Sequence, residues 1–139
     1  MTPSSDAPLV HLLNNGEQVA TTESANWIVR VYKVYDLGEC GPDRPESCPL
    51  RQLMVAVRTI DLAPDQAVFI LPKAHDWRFL EWTHVPRQEG PDDAVRFTLE
   101  RDDPSPTPQN GWWITSRHEV AVNPWKASIR PVSAAATGP

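Results

Sequence analysis

Apolar and polar positions along this chain alternate with a period of two far more often than they recur every three or four residues. In residues 27–37, Trp27, Val29, Val31, Lys33 and Tyr35 fall on one side, and Ile28, Arg30, Tyr32, Val34 and Asp36 on the other. Both sides are apolar near the middle, which predicts a strand covered on both faces. The density of β-branched and aromatic residues argues against a helix there. Residues 50–60 repeat the pattern, with Leu53, Val55, Val57 and Thr59 alternating with Met54, Ala56, Arg58 and Ile60. These two runs form the arms of a predicted hairpin, joined by the turn-rich residues 38–49.

The same reasoning places further short strands. Residues 67–71 form one, stopped by Pro72, and the aromatic run 77–85 forms another, ending before Pro86. In that run strict alternation sets Trp82 on the side opposite Trp77 and Phe79. Residues 94–101 alternate cleanly, with Val95, Phe97 and Leu99 inward. Residues 112–116 and 119–122 are two strands, or one strand bent near Arg117-His118, and residues 127–130 are a last edge strand. Before the main hairpin, Asn15-Gly16 is a strong type I′ turn signal between residues 9–14 and 17–22. The second of those arms is weakly apolar, so residues 17–26 could instead be a loop or a helical turn. Residues 61–66 read as a turn or one helical turn, and residues 102–111 as a proline-rich loop.

Some eight short strands at roughly ten-residue spacing, with no helix long enough for a parallel crossover, predict an all-β fold. The expectation is an antiparallel β-sandwich or flattened barrel with a disulfide-closed hairpin tip. Residues 1–8 are expected to be a flexible leader, 9–131 a single domain and 132–139 a disordered tail. Proline supports this division. Fifteen prolines in 139 residues are about twice the usual ~5 %, and they sit between the apolar runs. Lacking an N–H, they punctuate strands and do not extend them.

Charge narrows the partners. The formal net charge is −5, and Arg and Lys are scattered, so there is no basic stripe to gather phosphates and nucleic acid is disfavoured. No apolar stretch approaches the ~20 residues of a membrane span. Cys40 and Cys48 are the only cysteines. In a C-x7-C spacing at a hairpin tip they predict a disulfide, which would stabilise the fold by roughly 2.6 kcal/mol in the chain-entropy model. A disulfide points to an oxidising compartment, whereas residues 1–8 carry no signal-peptide pattern. The expectation is a periplasmic or extracellular protein whose leader has been removed; the alternative is a cytoplasmic one with two free thiols.

Candidate chemistry is sparse. The stiff, charged tip, with Asp43, Arg44 and Glu46, could serve as a recognition finger, since little entropy is left to lose on binding; the favoured reading of the loop is that it only pins the tip. Six tryptophans suit a sugar platform or a protein interface. Trp112 and Trp113 must point to opposite faces of a strand, and Trp82 is the third candidate for exposure. Four histidines raise a metal or hydrolase site around His75, Asp76, His84 and His118, but no HxH, HExxH or Cys/His cluster supports one. Ser116-Arg117-His118 is adjacency and not triad geometry. The acidic pairs Asp92-Asp93 and Asp102-Asp103 read as solvated turns. No cofactor is implied. The leading expectation is a non-enzymatic protein-binding module of inhibitor, immunity or adaptor type, its acidic balance suiting a basic partner. A carbohydrate-binding module is the alternative, and a hydrolase or metal enzyme the least favoured.

Overall fold

The computed structural model describes residues 16–35, 48–61, 65–105 and 113–132. They form eight strands and, among the described residues, no helix: β1 Gly16–Glu23, β2 Trp27–Tyr35, β3 Arg51–Thr59, β4 Gln66–Ile70, β5 Asp76–His84, β6 Val95–Pro104, β7 Trp113–Val122 and β8 Ala127–Pro131. They make two antiparallel four-stranded sheets, each a meander in sequence order, β1-β2-β3-β4 and β5-β6-β7-β8.

The two sheets share one core. β2 and β3 contribute Trp27, Val29, Val31, Leu53, Val55 and Val57; β5, β6 and β7 contribute Trp77, Val95, Phe97, Leu99, Val120 and Val122. Every one of these is at a position of the same parity as its neighbours on the strand, so the period-two pattern directs them to a common side. Residues 9–14 and the cysteine-flanked tip lie outside the described residues, although Cys48 itself is buried just before β3.

Several boundaries differ from the sequence expectation, and each difference has a cause. The weakly apolar arm after Asn15-Gly16 is a strand, because β1 pairs with the strongly apolar β2 from Gly16↔Val34 to Glu23↔Ile28. One register shift, at Val19, accommodates an extra residue there. β7 is a single unbroken strand: Arg117 and His118 keep their ladder partners Glu100 and Leu99. β6 runs on through Asp102 and Asp103 to Pro104; Asp102 is held by Arg78, while Asp103, paired with Arg101, keeps its side chain 38 % exposed.

The largest correction concerns Trp82. β5 carries two bulges, between Phe79 and Glu81 and between Trp82 and His84. The extra residue at Leu80 flips the alternation. Trp82 therefore faces the core with Phe79, opposite Phe97, with ring centroids 4.8 Å from Phe79 and 5.2 Å from Phe97.

The end of the fold carrying the β1–β2 and β7–β8 turns is fastened by polar side chains. Glu89 accepts hydrogen bonds from the Ser24 hydroxyl and from Asn26 N, tying the β5–β6 connection to the β1–β2 turn. Asn123 is fully buried and makes four hydrogen bonds. Its Nδ2 donates to Pro91 O and Asp93 O at 3.1 and 3.0 Å, and its Oδ1 accepts from Trp125 N and Lys126 N at 2.9 and 2.8 Å.

Candidate functional site

At the opposite end the core rows run out of apolar residues. On β2 the inward series Trp27, Val29, Val31 continues as Lys33 and Tyr35; on β3 the series Val57, Val55, Leu53 continues as Arg51. These cations reach across to Asp76, the first residue of β5, with Lys33 Nζ at 2.5 Å and Arg51 Nε at 3.8 Å. Arg51 also donates to His75 O at 2.9 Å, and its backbone pairs with Ala74 in an isolated bridge. Lys33 and Arg51 both lie over the Tyr35 ring, at 5.6 and 5.4 Å from its centroid. The Tyr35 hydroxyl donates to Glu17; that bond, with burial and the carboxylate charge, pushes its pKa up to about 12.

Arg78 is the centre of this charged collar. Its guanidinium grips Asp102 through two bonds of 2.6 and 3.0 Å, and reaches Asp76 and Glu100 at 3.3 Å each. Thr115 donates to Asp102 at 2.7 Å, and Arg117 approaches Glu100 at 3.5 Å. The bidentate geometry fits a planar fork to a carboxylate. Hydrogen bonds from Arg78 hold Asp102 below the usual carboxylate range against the opposing effect of burial, and the same bonds raise Arg78.

Beside the collar, His75 lies flat on Trp113, with centroids 3.5 Å apart and planes 9° from parallel. Its Nδ1 is buried and meets no hydrogen-bond partner among the described residues. Burial, helped by the Arg51 charge, lowers its pKa, so the stacked ring is neutral at pH 7. On the core side of the same end, the Arg101 guanidinium lies 5.2 Å from the Trp77 centroid. It pairs with Asp103 at 2.7 Å with its N–H off the line of a hydrogen bond.

Ser116 Oγ and His118 Nε2 are 2.9 Å apart, and His118 meets Trp77 edge-on. This bond goes beyond the bare adjacency seen in the sequence: two residues apart on a strand, the side chains share a face. Burial lowers the His118 pKa, and Arg101 adds to that. The pair supplies two parts of an acyl-transfer constellation. Asp103, already engaged by Arg101, acts on His118 only through its charge, and a hydrolytic site also needs converging oxyanion donors.

The structure thus sorts the sequence candidates by position. Tyr35 and Cys48 bracket the segment bearing Cys40, Asp43, Arg44 and Glu46; Ser105 and Trp113 bracket the one bearing Trp112. Those five residues lie outside the described residues, but both segments are rooted at the collar end, beside His75 and Asp76. His84 is at the far end of β5, nine residues from His75, and among the described residues no three His, Cys, Asp or Glu side chains are grouped to hold a metal ion. Trp27 and Trp77 are buried, Trp82 is partly buried against the core, and Trp125 is 48 % exposed in the β7–β8 turn, edge-on to Trp27 at 5.8 Å. The collar and Trp125 were not singled out from the sequence. Arg78 and Asp102 are 24 residues apart and meet only through strand register; for Trp125 the usable signal was the Asn-Pro turn before it.

Two apolar grooves lie away from the collar. One, of about 500 Å³, is on the outward face of the first sheet along Ile28, Arg30, Ala56, Arg58 and Val68. The other, of about 450 Å³, opens between β4 and β8 over Phe69, Val120, Val122 and Ile129. No helix among the described residues is long and apolar enough to cross a membrane. Compared with family models, with curated proteins and with solved structures, the chain matches none.

Proposed function

We propose that the chain is a β-sandwich that acts as a non-enzymatic protein-binding module of inhibitor, immunity or adaptor type, in the periplasm or outside the cell. Its binding end is the collar end, and its hairpin tip is closed by Cys40–Cys48. The observation that carries this reading is that the described residues flanking both candidate segments, Tyr35 and Cys48, Ser105 and Trp113, belong to the end that holds the ion-paired collar. Recognition loops gain from a rigid scaffold, because less ordering entropy is lost on binding. The buried Cys48 at the root of β3 suits a structural disulfide. The net charge of −5 favours a basic partner through faster encounter.

The carbohydrate reading requires aromatic rings on one surface. Trp113 and Trp125 lie at opposite ends of β7, and the partly buried Trp82 packs on Phe79 and Phe97 against the core, which weighs against a shared platform.

The test is capture from the envelope and secreted fractions of the source cells by the immobilised full chain and by a variant lacking residues 43–47. A partner retained by the full chain and lost by the folded variant supports the reading. A partner held equally by both removes the tip from the site, and tryptophan fluorescence that responds to oligosaccharides with no protein captured replaces the reading by the carbohydrate one. Thiol titration of the non-reduced protein should find no free cysteine; two would end the disulfide and with it the argument for the compartment.

A further inference from the structure

On the first sheet the even-numbered positions of β2, β3 and β4 face away from the core, whose residues on these strands are odd-numbered, Val29, Val31, Val55 and Val57 among them. Two of the outward positions hold arginines. Arg58 stands opposite Ile28 and Arg30 opposite Ala56, so the two are diagonal neighbours about 7–8 Å apart. Arg51, Arg78, Arg96, Arg101, Arg117 and Arg130 are each paired with a carboxylate. Arg30 and Arg58 are half-buried, and among the described residues neither makes an ion pair or a side-chain hydrogen bond. Like charges set this close on a sheet repel. Glu23, opposite Ile28 on β1, makes no ion pair with either of them among the described residues, so this patch carries one positive charge in excess.

The two arginines flank the apolar groove of about 500 Å³, floored by Ile28, Ala56 and Val68, a size within the ~300–1,000 Å³ of small-molecule sites. Polarity is graded along it. The cations stand on β2 and β3, while Ala56 and Val68, directly opposite one another, carry the apolar surface onto β4, an edge strand of the sheet. We propose that this groove binds a free alkyl carboxylate of medium or long chain, its head held between Arg30 and Arg58 and its tail lying over Ala56 and Val68 toward the open edge of β4. Each end of such a ligand meets its complement. The planar forks of the two arginines suit the oxygens of one carboxylate, and a single negative charge balances the excess on the patch. The tail takes the apolar floor out of water. A cationic amphiphile would face the two arginines with a like charge, and a short carboxylate would leave the floor wet. The site lies away from the collar and is independent of what the collar end binds.

Titration of the full chain with decanoate, with decyltrimethylammonium and with acetate, followed by calorimetry and by backbone amide chemical shifts, tests this. Decanoate should bind one to one with a Kd of about 100 µM or tighter, and the other two at least about tenfold more weakly. The amides of Ile28, Arg30, Ala56 and Val68 should shift, and those of Val120 and Ile129, in the groove between β4 and β8, should not. Arg30→Gln combined with Arg58→Gln should weaken decanoate by about tenfold or more with thermal unfolding unchanged; if that variant does not fold, the comparison of decanoate with decyltrimethylammonium on the unaltered chain decides. No saturable binding by about 1 mM decanoate, equal binding of decyltrimethylammonium, or shifts confined to the second groove overturn the proposal. An unchanged affinity in the folded double variant overturns it too, as does adsorption to phosphatidylglycerol vesicles with no binding of free decanoate.

Discussion

Replacing Asn123 by Asp changes one terminal group and no volume, yet it should be among the most damaging substitutions in the chain. Two of the four side-chain bonds survive, since an Asp oxygen still accepts from Trp125 N and Lys126 N. The other two do not. Where Nδ2 donates to Pro91 O and Asp93 O at 3.1 and 3.0 Å, an Asp presents a third acceptor to two carbonyls in a site of 0 % exposure. Two lost bonds at about 1 kcal/mol each, plus a buried charge with no counter-ion and two carbonyls facing it, give a penalty of about 3–5 kcal/mol at pH 7. That is a large share of the ~5–15 kcal/mol of a whole domain.

The pH dependence identifies the mechanism. The introduced carboxyl is destabilised as an anion, so its folded pKa lies above the unfolded ~3.9. A group with a raised folded pKa contributes its stability below the unfolded pKa and loses it as pH rises through the folded one. Once protonated, the acid can also donate to one of the two carbonyls. The penalty should therefore be smallest near pH 3.5 and grow toward pH 7. Urea unfolding of both proteins, followed by tryptophan fluorescence at the two pH values, measures it. A penalty under about 1 kcal/mol at pH 7, or one independent of pH, would refute the assignment of the Asn123 amide as a buried double donor.

Three further substitutions and titrations bear on the collar and the aromatic residues. Asp102→Asn should destabilise by about 1–2 kcal/mol at pH 7, since it removes a charged bidentate pair whose arginine is partly solvated; because the Asp102 pKa is depressed, the wild-type advantage is present above ~3.9 and fades as pH falls through the folded value, which urea titrations at pH 7 and pH 2.5 would show. Trp82→Ala should cost about 2–3 kcal/mol and Trp125→Ala less than about 1.5 kcal/mol, and a reversed order in thermal unfolding would contradict the bulge that turns Trp82 inward. His75 and His118 should both titrate by NMR below the ordinary ~6.5, so their contribution to stability is complete above that value and declines as pH falls through their folded pKa values; a midpoint above it for either ring would contradict its burial.

The strands were legible wherever one face had to be buried. Val95, Phe97 and Leu99 alternate without interruption and lie at 0 % exposure; β2 starts at the predicted Trp27, and β3, Arg51–Thr59, lies within one residue of the predicted 50–60 at each end. Trp82 shows where the pattern fails. A bulge changes parity without changing composition, so nothing in the run Trp77-Arg78-Phe79-Leu80-Glu81-Trp82 distinguishes it from a regular strand. Asp102 failed for a different reason: whether a carboxylate is solvated depends on what the register sets opposite it, and Arg78 is brought there only by the pairing of β5 with β6. The candidate site was legible as two separate segments, but their common root was not, because it follows from the order of strands.

That order has a kinetic consequence. Since each sheet is a meander of consecutive strands, every ladder among the described residues closes between neighbouring strands in sequence, and none of these ladders waits for a distant segment to arrive. Loop closure of this kind loses little chain entropy, which favours fast folding for an all-β protein. The two halves of the chain can each zip up independently. The late event is then the docking of two preformed apolar faces, so slow steps and aggregation should both trace to the interval in which those faces are paired within a sheet but not yet with each other.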